Sequence, residues 1–434
     1  MQKQPNIIFI MADDLGCADL SCCGQTDFST PVLDGMAAEG VRFTQAYANA
    51  PLCTNTRVAM MTGRYQYRYK IGLTEPLRHA SKGDPTMGLP AAQPTLPSRL
   101  RAAGYRTSLV GKWHVGALPH FGPLKSGYDA FYGIMGGYTG YFTKIGDGNQ
   151  YDFYEDETTI EDQGYVTDLI TARAVKTIDE AAQSGQAFFL SLHYNAPHWP
   201  WSAPAGEAAA RIREADPKQV HDGGSLKIYG EMVKAMDAGI GQVREALRRN
   251  GLTQNTLILF TSDNGGERFS KIWPFVGRKR DLLEGGLRVP QIVLWPGQMA
   301  GGRVSDQVTS TMDLSVTCLA AAGVDVSGAS RLDGISLLPL PCEGASVQPR
   351  TLFWRMKERD QRAVRHNQWK YLKVKEQEFL FDLDYDARER TDFSTRQPEV
   401  LADLKQRWET WNRDMLPMPS EPSPIMVNLS DMLW

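Results

Sequence analysis

The sequence predicts an α/β protein with a central mixed, largely parallel sheet flanked by helices, followed by a smaller C-terminal α+β subdomain carrying an antiparallel sheet. Three observations predict it. Short apolar runs alternate with helix-length segments from residue 7 to residue 321, the order in which strands return through helical crossovers. The first run, Ile7 to Met11, is apolar throughout rather than alternating, as in strands buried on both faces. After about Val347 the pattern becomes short strands joined by polar turns and closed by one helix. At 434 residues the chain exceeds what one small core covers, so a main domain over 1–347 and a subdomain over 348–434 are expected.

The elements follow in order. The run 7–11 is a buried strand ended by Asp13-Asp14. Ser29-Thr30-Pro31 supplies an N-cap and an early-helix proline, and Gly40 ends that helix. After the turn-like Ala50-Pro51-Leu52, Cys53 opens a segment whose apolar Val58 and Met61 are three apart, as on one helix face. Strands are predicted over 106–110, 187–194, 256–261 and 290–295. Helices are predicted over 95–103, 165–183, 225–250 and 313–321. In the subdomain, 351–356, 363–365, 370–375 and 379–382 read as strands and 399–415 as a helix. The tail 417–434 is Pro-rich and ends in apolar residues. It is expected to dock on its own chain or on a neighbouring copy, which leaves a homo-oligomer open.

Composition excludes several classes. Lys+Arg 47 against Asp+Glu 50 gives a net charge of -3, which offers no electrostatic case for nucleic acid or an anionic membrane. The six cysteines, at 17, 22, 23, 53, 318 and 342, have neither metal-finger spacing nor the density of a disulfide framework. The 7–11 run is short for a signal peptide and lacks a small-residue cleavage site. No later segment has the length to span a bilayer, so a cytoplasmic protein is expected.

Ligands of open α/β sheets bind beyond the carboxyl ends of the strands, and four polar clusters fall there. Asp13-Asp14 follows the first strand, Gly111-Lys112-Trp113-His114 the strand ending at Val110, Pro197-His198-Trp199-Pro200 the strand ending near Tyr194, and Asp263-Asn264-Gly265-Gly266 the strand 256–261. Each alone has a bland reading, as a cap, a turn or a surface cation. Together, three carboxylates and an amide oxygen would repel one another without a cation, and such hard oxygen donors suit Ca²⁺ or Mg²⁺. Cys53 near a helix N-terminus, with Arg57 one turn on, would favour an anion.

Cys53-Thr54-Asn55-Thr56-Arg57 with Thr62-Gly63-Arg64 resembles the activation motif of the type I sulfatases, members of the alkaline phosphatase superfamily. Asn55 stands where that family usually has proline, and Thr56 where it usually has serine. Gly111-Lys112-Trp113-His114 is similar to the family's Gly-Lys-Trp-His. The proline-flanked His198, and Lys279 before Glu284-Gly285-Gly286-Leu287-Arg288, are similar to further family motifs, and Leu380-Phe381-Asp382-Leu383 to its closing stretch. The resemblance covers essentially the whole chain. It implies that Cys53 is oxidised to formylglycine by a formylglycine-generating enzyme, and that Asp13, Asp14, Asp263 and Asn264, with the modified Cys53, hold a divalent ion, most often calcium in that family, with magnesium the alternative. It implies nucleophilic attack on sulfur by the hydrated aldehyde. Arg57, Lys112 and Lys279 would neutralise the sulfate, His198 would protonate the leaving alcohol, and His114 would act as base for sulfate release.

The implied substrate is a small sulfate ester, aryl or carbohydrate, with Trp199, Trp201, Trp273, Tyr138 and Tyr141 as candidate stacking residues. His193 reads as a strand or core histidine. Two alternatives stay open: a phosphonate monoesterase or phosphodiesterase of the same superfamily, and a metal-binding pseudoenzyme with unmodified Cys53.

Overall fold

A computed structural model describes residues 4–216, 219–221, 223–325, 331–338 and 347–420. Strands and helices are numbered here along the chain. The large sheet has ten strands in the order β11 (Arg303–Ser305), β2 (Val41–Phe43), β10 (Gln291–Leu294), β9 (Thr256–Ser262), β1 (Asn6–Ala12), β8 (Phe188–His193), β4 (Arg106–Gly111), β5 (Ala130–Gly133), β6 (Tyr154–Glu155) and β7 (Thr158–Thr159). The centre, β9-β1-β8-β4-β5, is parallel, whereas β10 runs antiparallel to β9. A separate pair joins β3 (Ala46–Tyr47) to β12 (Thr309–Ser310). The mixed sheet matches the sequence expectation. The short strands β2, β5, β6, β7 and β11 are not anticipated, because pieces of two to four residues show no period.

All seven residues of β1 are buried, and successive side chains point to opposite faces. Ile8 and Ile10 enter a core with α1 (Pro31–Glu39), α4 (Val166–Ser184) and α6 (Leu226–Arg249). Ile7, Phe9 and Met11 enter the other core, with α2 (Cys53–Thr62), α3 (Leu96–Ala102) and α8 (Thr311–Ala321). Thr30 precedes α1 and Pro31 is its first residue, with Gly40 at its end. The short α5 (Glu207–Glu214) and α7 (Glu284–Leu287) complete the main body. No helix among the described residues is long and apolar enough to cross a membrane.

The C-terminal sheet is an antiparallel meander of β13 (Thr351–Met356), β14 (Gln361–His366), β15 (Trp369–Val374) and β16 (Gln377–Asp382). One face is covered by α9 (Pro398–Asn412) through Leu404 and Trp408. The other joins the main body, where Leu352, Trp354 and Met356 share one apolar cluster with Tyr47, Leu52 and Leu287. A buried charge network crosses the same seam. Glu284 accepts from Lys370 Nζ at 2.8 Å, Arg288 Nε at 2.6 Å and the Tyr47 hydroxyl at 2.7 Å, and Lys370 also meets Glu389 at 2.8 Å. Burial works against the charge of Glu284, but Lys370 and Arg288 hold its carboxyl below the usual range. Removing one partner would leave an uncompensated buried charge. Of the tail 417–434, whose docking is expected, residues 421–434 lie outside the described residues, as does Cys342.

Candidate active site at the carboxyl edge of the sheet

Strand register brings the four polar clusters together. Met11 is level with His193, Ala12 with Ser262, and Gly111 with His193. The residues that follow each strand therefore emerge side by side at one sheet edge. The edge is tied by backbone bonds: Asp13 N donates to Ala196 O and Asp263 N to Ala12 O, each at 3.1 Å. Gly111 makes the closeness of β4 and β8 possible, since it sits at φ +114 and a Cβ there would lie 1.8 Å from His193 O.

Three buried carboxylates face three buried cations. Lys112 Nζ donates to Asp13 Oδ2 at 2.5 Å and Lys279 Nζ to Asp14 Oδ2 at 2.7 Å. Arg57 gives Nε and Nη2 to Asp263 Oδ2 at 3.1 and 2.9 Å, and Nη1 to Lys112 O at 3.1 Å. Its guanidinium is thus committed to Asp263, and it bears on position 53 through charge and positioning. Burial and the neighbouring Asp263 push the Asp13 carboxyl upwards against the pull of Lys112 and Arg57. Asp14 is held low: burial would raise it, but the charges of Lys279 and His198 outweigh burial. Lys279 is held above its ordinary range because Asp14 and Glu267 overcome burial.

Asn264 Nδ2 donates to Asp14 Oδ1 at 2.7 Å. Asp13 Oδ1 and Asn264 Oδ1 are buried with no hydrogen-bond partner among the described residues, although buried polar atoms are nearly always satisfied. Ligand atoms of Asp13, Asp14 and His198 all lie within 4.8 Å of one another. This set of hard oxygen donors with orphaned lone pairs fits a calcium or magnesium ion.

Cys53 is the first residue of α2, whose N-cap residue Leu52 makes no side-chain cap bond. Its Sγ lies 3.2 Å from His114 Nδ1. His114 Nε2 lies 3.0 Å from Leu77 O, so the proton is on Nε2 and Nδ1 is free to accept. Burial, then Lys112, pulls the His114 imidazole well below its usual range. Burial pushes the Cys53 thiol up, against Lys112 and Lys279, and a protonated buried thiol is a poor nucleophile. His198 points Nδ1 at Trp199 O, 2.6 Å away, and Nε2 at Asp14 Oδ2, 3.6 Å away. Asn55 donates Nδ2 to Gly72 O at 2.9 Å and Thr74 O at 2.8 Å, bonds that proline could not make.

All the sequence-predicted residues, Asp13, Asp14, Cys53, Arg57, Lys112, His114, His198, Asp263, Asn264 and Lys279, are buried around this edge. His193 ends β8, edge-on to Phe9, with Nδ1 3.1 Å from Lys112 O. It steadies the lysine's backbone. Lys279 reaches Asp14 because its loop folds tightly over α7, where a Cβ on Gly286 would lie 2.2 Å from Asp281 O.

A cavity of about 300 Å³ opens from Cys53, walled by Leu77, Arg78, Tyr138, Trp199, His221 and Arg280. Tyr138 and His221 pack on Trp199, with ring centroids 4.3 and 4.0 Å away. The other aromatic candidates lie elsewhere. Tyr141 is buried with its hydroxyl on Asn195 O and His198 O, Trp201 packs on Phe269, and Trp273 is exposed beneath Arg388. Glu267, which the sequence reading does not single out, also lines the cavity, and burial pushes its carboxyl up to about 7. Its position three residues after Asn264 is the signal that was there to find.

The sulfatase family profile matches residues 5–324, and the profile described as N-sulphoglucosamine sulphohydrolase, C-terminal, matches residues 277–414. The N-acetylgalactosamine-6-sulfatase of Mus musculus is 33% identical over 372 residues, covering 81% of this chain and 69% of that one. The crystal structure of Ps i-CgsB superposes with a TM-score of 0.85 at 33% identity, covering 97% of this chain and 95% of that one. Ps i-CgsB in complex with k-i-k-neocarrahexaose gives 0.84 at 31% identity, covering 99% and 96%.

Proposed function

The chain belongs to the sulfatase family and is a sulfuric ester hydrolase, and from that premise we propose that it removes sulfate from a carbohydrate, using formylglycine made from Cys53 and a calcium ion. The observation that carries the reading is the pairing at Cys53: a buried, protonated thiol 3.2 Å from a histidine whose accepting nitrogen faces it, beside three carboxylates and an amide among which Asp13 Oδ1 and Asn264 Oδ1 have no partner among the described residues. A thiol uses that setting poorly, whereas an oxygen nucleophile uses all of it.

Asp13, Asp14, Asp263 and Asn264 would hold the ion, with residue 53 completing the shell; when bound, it supplies Lewis-acid charge to the ester. The hydrated aldehyde supplies an oxygen nucleophile whose second hydroxyl lets sulfate leave without another attack at sulfur. Arg57 fixes Asp263. Lys112 and Lys279, relieved of balancing Asp13 and Asp14, neutralise charge on the ester oxygens. His114, anchored on Leu77 O, takes a proton at Nδ1 from residue 53. His198, anchored on Trp199 O, exchanges a proton at Nε2 with the leaving oxygen.

Metal analysis should find a divalent ion retained by the purified protein. Exhaustive chelation should lower both its melting temperature and its turnover, and calcium should restore both. Full activity and an unchanged melting curve in metal-free protein would sink the ion assignment.

The carbohydrate reading is supported by the Tyr138-Trp199-His221 wall and by relatives whose names carry sugar sulfates or oligosaccharides. Tyr138→Ala should raise KM for a sulfated galactan oligosaccharide about tenfold, the scale of one lost aromatic contact. It should change turnover of 4-nitrophenyl sulfate much less. Equal effects on both esters would show that the wall does not select the sugar.

A further inference from the structure

The loop that carries Lys279 is held from outside the main sheet. Arg280 lies in left-handed backbone at φ +81, a region that a non-glycine residue keeps only when its neighbours over-determine it. Four bonds do so. Its N–H donates to Pro51 O at 3.0 Å, two residues before Cys53. Its carbonyl accepts from Gln361 Nε2 at 2.9 Å and Arg359 Nη2 at 3.2 Å, and its Nε donates to Glu358 Oε2 at 3.0 Å. Gln361 Oε1 then accepts from Leu282 N at 3.0 Å, and Arg359 pairs with Asp281. Glu358, Arg359 and Gln361 stand at the turn between β13 and β14.

The same turn reaches the opposite wall of the cavity. Lys357 N and Glu358 N donate to the two carboxylate oxygens of buried Glu75 at 2.6 and 2.9 Å. Glu75 precedes Leu77 by two residues, and the Leu77 carbonyl is the anchor of His114 Nε2. One turn of the C-terminal sheet therefore fixes the backbone beside Lys279 and the backbone that orients His114.

We propose that the 357–361 turn is a positioning unit for the reaction, setting Lys279 through Gln361 and Arg280, and His114 through Glu75 and Leu77. This rests on the sulfate-ester reading of the site. None of Glu75, Glu358, Arg359 or Gln361 need touch the substrate. Their effect is on where two charged or proton-carrying groups stand, and small misplacements of such groups are costly in rate.

The test uses the full-length, calcium-loaded protein, with Gln361→Ala for one wall and Glu75→Ala for the other. Hydrogen exchange should rise over residues 277–284 in the first and 72–79 in the second. Each should lower kcat for 4-nitrophenyl sulfate about tenfold with KM within about twofold. Glu75→Gln, which keeps a carbonyl acceptor, should recover most of the rate. Unchanged exchange, or raised exchange with kcat intact, overturns the proposal. If the parent hydrolyses no sulfate ester while exchange responds as described, the sulfate reading fails and the mechanical coupling stands. If one variant does not fold, the other still decides.

Discussion

Cys53→Ala folds, yet its turnover of sulfate esters falls by at least about ten-thousandfold, the scale of losing a covalent nucleophile. The fold survives because only one buried sulfur is lost from the first turn of a helix whose ten residues are all buried. The rate does not, because position 53 holds the group that faces His114 Nδ1, 3.2 Å away. The companion measurement is mass spectrometry of the Cys53 peptide from native material with aldehyde trapping. At least part of it should carry formylglycine, with Asn55 present where the family usually has proline. Wholly thiol protein working at full rate would disprove the aldehyde mechanism. Wholly thiol and inactive protein would make the chain a metal-binding relative without turnover.

Lys112→Ala should reduce kcat by about a hundredfold to a thousandfold, as expected for a lost preorganised cation. It should also destabilise the chelated protein by about 3–5 kcal/mol, the usual cost of breaking a buried ion pair from one side. Both partners of the Lys112–Asp13 pair are fully buried, so water cannot take over. Calcium should shrink the loss of stability, because it compensates Asp13, but should not restore the rate. Melting curves with and without calcium separate the two roles. A rate loss repaired by calcium would mean that Lys112 only shields the carboxylates.

The strand ends were legible because a polar pair after an unbroken apolar run marks the edge of a parallel sheet. Asp13-Asp14, Lys112, Asp263 and the proline-flanked His198 were found in this way. What the strands bring together at one level is set by register, and register follows from burial on both faces of β1. The path of the loops left no such trace. Trp273 and Tyr138 look equivalent in sequence, yet one stands over solvent and the other against Trp199. The contacts of Gln361 and Glu75 join residues far apart in the chain through backbone groups, which no side-chain pattern announces.

The N-terminal strand β1 pairs with β9, Asn6 with Thr256, and that pairing sets a clock on chemistry at Cys53. In the finished fold Cys53 is buried at the start of α2, beside Arg57 bonded to Asp263 and Lys112, and the cavity that it lines admits a small ester rather than another protein's active site. At ribosomal rates of about 5–20 residues per second, the roughly two hundred residues from Cys53 to β9 take about 10–40 s to appear. On the proposed formylglycine reading, an enzyme that oxidised Cys53 would have to work within that interval or on a chain kept open afterwards. The fraction of active protein would then depend on the pace of translation, and slower synthesis would be expected to raise the aldehyde content of a chain whose finished fold is unchanged.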